Sequence, residues 1–418
     1  MNILSTAKKS LNKFRNHYRD FKEVNLSIRR RRDLLLNYQG LSAWRNLHVP
    51  TIDYLSPDKP DDTQIYQRLI TAYHKATSDG EESGDGVWEI FSANCHAQLA
   101  EYLKQGDCKN VGLILSQMFR DPVTSGLMLG KGTYIATKKN PYLVGLDWHD
   151  KAISLGQAVG VVPVQNPEQG EYGTILHLDS LDIFRRSIER LGFAPLPPQV
   201  GAMFGIRFAG GCIPVNHLLH LYTAHRVSTI FPEKVSSCLE IGGGVGLLAY
   251  VVVSMGVKQY CIIDLPLVNV LQGYILLKSK LADSIQLFGE DKINSESRIR
   301  ILPSTAVDAL PPKSFDLIIN QDSLPEMSKE TMDGYLKTIQ RVSRGYFLSI
   351  NQEARAPAGS NSKQGWVHDA CRGEQGMKLI YRAPYWMRKG YVEELYKIID
   401  RESCDQVAPN SHKQASTC

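Results

Sequence analysis

From residue 215 onward, short unbroken apolar runs alternate with longer segments in which apolar residues return at helical spacing. "SCLEI", "KQYCIIDLP", "RIRILPS", "FDLIINQDS" and "GYFLSIN" read as buried strands. "NHLLHLYTAHRVSTIF", "GLLAYVVVSMG", "LVNVLQGYILLKSKLA" and "KETMDGYLKTIQRVS" read as helices. This rhythm predicts an α/β fold, a parallel sheet with helices on both faces. The later stretch "MKLIYRAPYWMRKGYVEELYKII" reads as two strands around a tight turn, an antiparallel hairpin at the sheet edge.

The first half follows a different pattern. Ile65, Leu69 and Tyr73, then Leu99, Tyr102 and Leu103, then Val111, Ile114, Leu115 and Met118 recur at helical spacing. Residues 122 to 200 read as short helices between Gly/Pro-rich turns. The prolines of "FAPLPPQVG" mark a boundary, because they continue neither helix nor strand. The expected organisation is a basic arm over 1–50, a mainly helical domain over 51–200, an α/β domain over 201–402 and a disordered tail over 403–418.

Composition narrows the function classes. Of 418 residues, 43% are hydrophobic and 22% charged, ordinary globular proportions. A net charge of +5 is too small for nucleic acid to be the expected partner. The basic excess is concentrated in "RRRRDLLLNY" and its surroundings. A solvated helix is the favoured reading there, and contact with an anionic membrane or polymer is the alternative. The 8 cysteines have no zinc-site spacing, so no structural zinc is expected, Asp322 without a neighbouring acid argues against magnesium, and Cys238 and Cys261 fall in apolar runs as buried thiols. No secretory leader precedes the first charges, and no apolar run approaches the roughly 20 residues of a membrane helix. A reducing, cytoplasmic setting is expected. The oligomeric state is not readable.

The chemistry starts at "CLEIGGGVGLLAY", where a glycine turn leaves a strand and opens a helix. Such a turn lets backbone N–H groups and a helix N-terminus face a ligand. A dinucleotide fingerprint would need a glycine where Leu247 stands, and no Gly-Lys-Ser/Thr is present for a phosphate loop. The sequence instead spells Glu240-x-Gly242-x-Gly244-x-Gly246. It resembles motif I of the class I S-adenosylmethionine-dependent methyltransferases, whose loop packs against the methionine part of the cofactor. One unit later, Asp264 ends "YCIIDLP", where a carboxylate can accept hydrogen bonds from both ribose hydroxyls. The simpler reading of Asp264 is a helix cap. After the third strand, Ser304, Thr305 and Ala306 occupy the family's adenine position. Asn320 to Ser323 follow the fourth.

"FDLIINQDSLPEM", "YFLSINQEA" and "YRAPYWMRKGYVEELY", with "VWEIFSANCHAQLAEYLKQGD" and "VVPVQNPEQGEYG" upstream, resemble the bacterial sugar O-methyltransferase family. The resemblance runs from about residue 85 to about residue 400. It implies a Rossmann-like class I methyltransferase sheet, S-adenosylmethionine as cofactor and a saccharide or glycoconjugate hydroxyl as acceptor. Glu240, Gly242, Gly244, Gly246, Asp264, Ser304 and Asn320 would bind the cofactor.

A sugar hydroxyl is a poor nucleophile, so a base is wanted. Asp322 and Glu326 after the fourth strand, Glu353 after the fifth, and His220 on the preceding helix are the catalytic candidates. His217 and His225 lie on that same helix. Glu326 could instead open the next helix, and Arg226 could clamp an acidic acceptor. Trp366, Tyr385 and Trp386 could stack on a sugar ring or simply fill the core. Other hydroxyls, an amine, or a non-catalytic scaffold are the alternatives.

Overall fold

The computed structural model describes residues 36–37, 47–78, 80, 84–85, 87–193, 196–231, 235–291, 298–354 and 365–399. The expected tail lies outside these residues, and so does most of the basic arm.

A small antiparallel sheet ties the two halves together: β1 (Ile52–Tyr54) pairs with β2 (Phe204–Phe208), which pairs with β3 (Gly211–Ile213). The main sheet follows. Its strands are β4 (Ser237–Ile241), β5 (Gln259–Asp264), β6 (Ile285–Gln286), β7 (Ile299–Pro303), β8 (Phe315–Gln321), β9 (Ser343–Gln352), β10 (Met377–Pro384) and β11 (Tyr391–Ile398). Their spatial order is β10-β11-β9-β8-β4-β5-β7-β6. Pairings from β6 through β9 are parallel, whereas β11 runs antiparallel to both β9 and β10. This is the expected α/β class, a Rossmann-like sheet closed at one edge by a hairpin.

The topology places the site. From β4 the chain steps to β5 and β7 on one side, and later to β8 and β9 on the other. The order therefore reverses at β4, and the crevice beyond the carboxyl ends of β4 and β8 is where such sheets bind ligands. β4 is buried along its whole length, including Ser237 at its start and one acid, Glu240.

The helical half packs directly on this sheet's helices. Helix Thr63–Ala76 lies against helix Pro266–Leu277, with the Tyr66 and Tyr274 rings stacked at 6.3 Å. The Tyr274 hydroxyl donates to Asp58 at 2.6 Å, and Arg68 pairs with Glu290 at 2.8 Å. One apolar core runs through both halves, from Ile52 to Leu395.

Residues 122–200 hold a longer element than expected, helix Pro141–Ala158. Pro141 occupies its first turn, and the Asn140 side chain accepts from the Leu143 N–H. Its periodicity is weak because it is buried all round, with Asp147, His149, Asp150 and Lys151 turned inward. Lys151 and Asp150 pair at 2.8 Å. Cys238 and Cys261 are buried, as their apolar runs require. Among the described residues no helix is long and apolar enough to cross a membrane.

Candidate active site

The bend after β4 carries three left-handed glycines: Gly242 (φ 72°), Gly244 (φ 55°) and Gly246 (φ 81°). They are glycine for different reasons. A Cβ on Gly242 would overlap the Ser323 side chain, and one on Gly243 would meet Ile262 at 2.6 Å. Those two positions are constrained by protein neighbours. Gly244 has nothing within 4 Å of a built Cβ and borders a cavity of about 590 Å³. A volume of that order suits a cofactor-sized molecule.

Around this floor the sheet ends assemble carboxylates. Among the described residues Asp85, Glu240, Asp264, Asp322 and Glu326 line the cavity, against the single guanidinium of Arg388. Glu240 sits at the end of β4, 3% exposed, and accepts from the Tyr260 hydroxyl at 3.0 Å. Burial pushes its carboxyl up to about 8. Asp264 ends β5, and burial pushes it up to about 7 although it accepts several hydrogen bonds. The Leu265 N–H donates to it at 2.9 Å and the Gln272 amide at 2.8 Å. The same amide nitrogen reaches the Gly244 carbonyl at 3.1 Å, tying the acid to the glycine bend. Ser304 also lines the cavity, whereas Thr305 and Ala306 are not part of its wall.

Asn320 belongs elsewhere. It is fully buried in β8, donates to the Ile241 carbonyl at 2.8 Å and to Ser323 at 2.5 Å, and accepts from Asn351 at 2.9 Å. It braces the glycine bend from beneath, and its neighbours Gln321 and Ser323 line the cavity instead.

Asp322 and Glu326 do come together here. Asp322 has φ 71°, and its N–H is held by the Ile350 carbonyl at 3.0 Å. A left-handed non-glycine residue costs about 1–2 kcal/mol, least for Asp and Asn, and such strain clusters at functional sites. Its carboxylate pairs with Arg388 at 2.8 Å, and that guanidinium lies 4.1 Å from the centre of the Tyr391 ring. Glu326 ends a short 3-10 turn, Leu324–Glu326, and does not open the following helix, whose cap is Ser328. Burial and the nearby Asp322 push Glu326 up to about 7.

His220 reaches the same cavity from helix Val215–Thr229. Burial pushes it down to about 4, so the ring is neutral at pH 7, and its buried Nδ1 has no hydrogen-bond partner among the described residues. His217 and His225 do not line the cavity.

The other candidates are held away from the cavity by the fold. Glu353 lies off the cavity and pairs with Arg382 at 2.7 Å. Arg226 pairs with buried Glu393 at 2.8 Å, so it is no acceptor clamp. Tyr385 packs edge-on against Tyr222 at 5.4 Å, and the Trp386 indole donates to the Ser154 carbonyl at 2.7 Å. With Trp366, they stand outside the cavity wall.

The wall includes residues the sequence did not single out: Asp85, Trp88, Gly126 to Met128, Arg388 and Tyr391. Asp85 accepts from the Ser328 N–H at 3.1 Å and the Thr331 hydroxyl at 2.6 Å, docking the helical half onto the site. Among the described residues no cluster of three or more His, Cys, Asp or Glu is placed to hold a metal ion.

No protein-family model matches the chain, and neither does any curated protein sequence. Solved structures similar to it include a SAM-dependent methyltransferase from Aquifex aeolicus, at 18% identity and TM-score 0.28, covering 39% of this chain and 82% of that one. Another is the N-methyltransferase NodS from Bradyrhizobium japonicum WM9 in complex with S-adenosyl-L-homocysteine, at 16% and 0.31, covering 44% and 86%. A third is the magnesium protoporphyrin IX methyltransferase from Synechocystis PCC 6803 with bound SAM, at 13% and 0.27, covering 40% and 70%.

Proposed function

We propose that the chain binds S-adenosylmethionine in this cavity and transfers its methyl group to a hydroxyl of a sugar or glycoconjugate. The observation that carries the reading is the acid-lined cavity floored by Gly244, whose left-handed bend leaves open space directly above the backbone. Five carboxylates against one guanidinium suit a ligand bearing a positive charge far better than a dinucleotide's pyrophosphate. The motif resemblance points the same way, and so does Leu247 in place of a dinucleotide-loop glycine.

The residues fit the group. Gly244 offers close backbone approach, Glu240 a buried acid beneath the bend, and Asp264 a ribose-binding carboxylate at the end of β5. Ser304 lines the same cavity. The cofactor, when bound, supplies a methyl group on a positively charged sulfur.

The protein's own part is acid–base and positional. Glu326 is the base: a carboxyl near 7 is half ionised at neutral pH and can take the proton of an acceptor hydroxyl as its oxygen is alkylated. The Arg388–Asp322 pair fixes one wall, and the neutral ring of His220, whose Nδ1 is buried, faces a second hydroxyl from another. Acceptors rich in hydroxyls satisfy both.

The test is mass spectrometry of surface glycans from cells with and without the gene. Loss of a methyl increment on one sugar supports the acceptor class, and an unchanged profile removes it.

A further inference from the structure

Trp88 enters the cavity from helix Val87–Phe91, and its indole N–H donates to Glu326 Oε2 at 3.1 Å. The ring is fixed from behind by Phe91 at 5.3 Å and by His96, nearly parallel to it, at 6.2 Å. His96 is 3% exposed, and burial pushes it down to about 4, so a neutral ring supports the indole. The chain reaches His96 through a five-residue π-helical stretch, Ser92–His96. A π turn takes up about one extra residue, which rotates His96 back towards the Trp88 face, and such turns recur at functional sites.

The neighbours of Glu326 come from four elements. Asp322 precedes it on its own turn, Arg388 comes from the hairpin turn, Tyr391 from β11 and Trp88 from the helical half. Asp322 and Arg388 are paired with each other at 2.8 Å, so their fields at Glu326 partly cancel. Among the described residues the directional contact that remains is the indole N–H. Asp85, three residues upstream of Trp88, anchors that segment to Ser328 and Thr331.

We propose that Trp88 is the positioning residue for Glu326: its N–H holds one carboxylate oxygen and stabilises the charged form, leaving the other oxygen free to take the acceptor's proton. This rests on the reading of Glu326 as the base. It makes the base competent only while the helical half is docked on the sheet.

The test is infrared difference spectroscopy of carboxyl protonation on the full chain, titrated from about pH 5 to about pH 9, with Glu326→Gln assigning the band. Trp88→Phe keeps the ring on His96 and removes the donor. It should raise the Glu326 midpoint by about one unit, a tenfold gain in proton affinity. An unmoved midpoint in a folded Trp88→Phe protein overturns the proposal, as does the absence of any Glu326 band titrating in this range. Calorimetry of the unmodified chain with S-adenosylmethionine is a separate arm. Lack of binding there removes the cofactor reading and leaves the Trp88–Glu326 coupling measurable on its own.

Discussion

Glu240→Gln should stabilise the protein while weakening its hold on a cationic ligand. The carboxyl is 3% exposed, and burial pushes it to about 8 from an ordinary 4.5. A folded-state value above the unfolded one means that the native state binds the proton more tightly. The acid therefore costs little at low pH and more as pH rises through that window. By linkage the cost is roughly 1 kcal/mol at pH 5, about 3 kcal/mol at pH 7, and approaches about 5 kcal/mol above pH 9. These are upper-end magnitudes for a buried group. Glutamine has the same shape, can still accept the Tyr260 hydrogen bond, and does not titrate. Urea unfolding of both proteins without ligand, at three pH values, reads Glu240 together with its coupling to the neighbouring Asp264, because Glu326 is common to both. The variant's advantage should be small at pH 5 and grow towards pH 9. A constant difference, or one that shrinks with rising pH, would refute the reasoning that Glu240 is an acid held against burial for a ligand's sake.

Other expectations can be checked on the same material. Gly244→Ala places a methyl in open space but in a left-handed bend, so unfolding should lose only about 1–2 kcal/mol while S-adenosylmethionine affinity drops at least about tenfold. Calorimetry beside a denaturant curve separates the two effects. A bound cation favours the ionised forms of Glu240, Asp264 and Glu326, all raised by burial, so binding should release protons and tighten from about pH 5.5 to about pH 8. Titration in buffers of different ionisation heat reads the proton count, and net uptake would contradict it. Arg226→Gln strands Glu393, 2% exposed, beside the Tyr222 and Tyr381 hydroxyls, and should cost about 3 kcal/mol of stability. Ligand affinity should stay within about twofold, since Arg226 lies off the cavity.

What the sequence made legible is what short-range physics controls. The alternation of apolar runs fixed the sheet class, and the glycine bend with Asp264 one unit later located the crevice, because both sit at strand ends. Asp322 and Glu326 were legible for the same reason. The pleat decided against Asn320: adjacent residues leave a strand on opposite sides, and the sequence does not say which side faces the ligand. Glu353 was lost to hairpin packing, which pairs it with Arg382. Tyr385 and Trp386 were near misses, since the same turn sends Arg388 and Tyr391 to the cavity and turns these two into the core and onto Ser154. Trp88 was beyond reach, because it meets Glu326 across 238 positions of chain and looks, locally, like one more apolar residue in a helix.

In the reading proposed above, the Gly242–Gly246 bend, with Glu240 and Asp264, holds S-adenosylmethionine. Isothermal calorimetry of the full chain with S-adenosylmethionine, its demethylated product and NAD tests this most directly. One site is expected for each of the first two, abolished by Gly244→Arg, and no heat with NAD. Binding of NAD with neither of the others would contradict it.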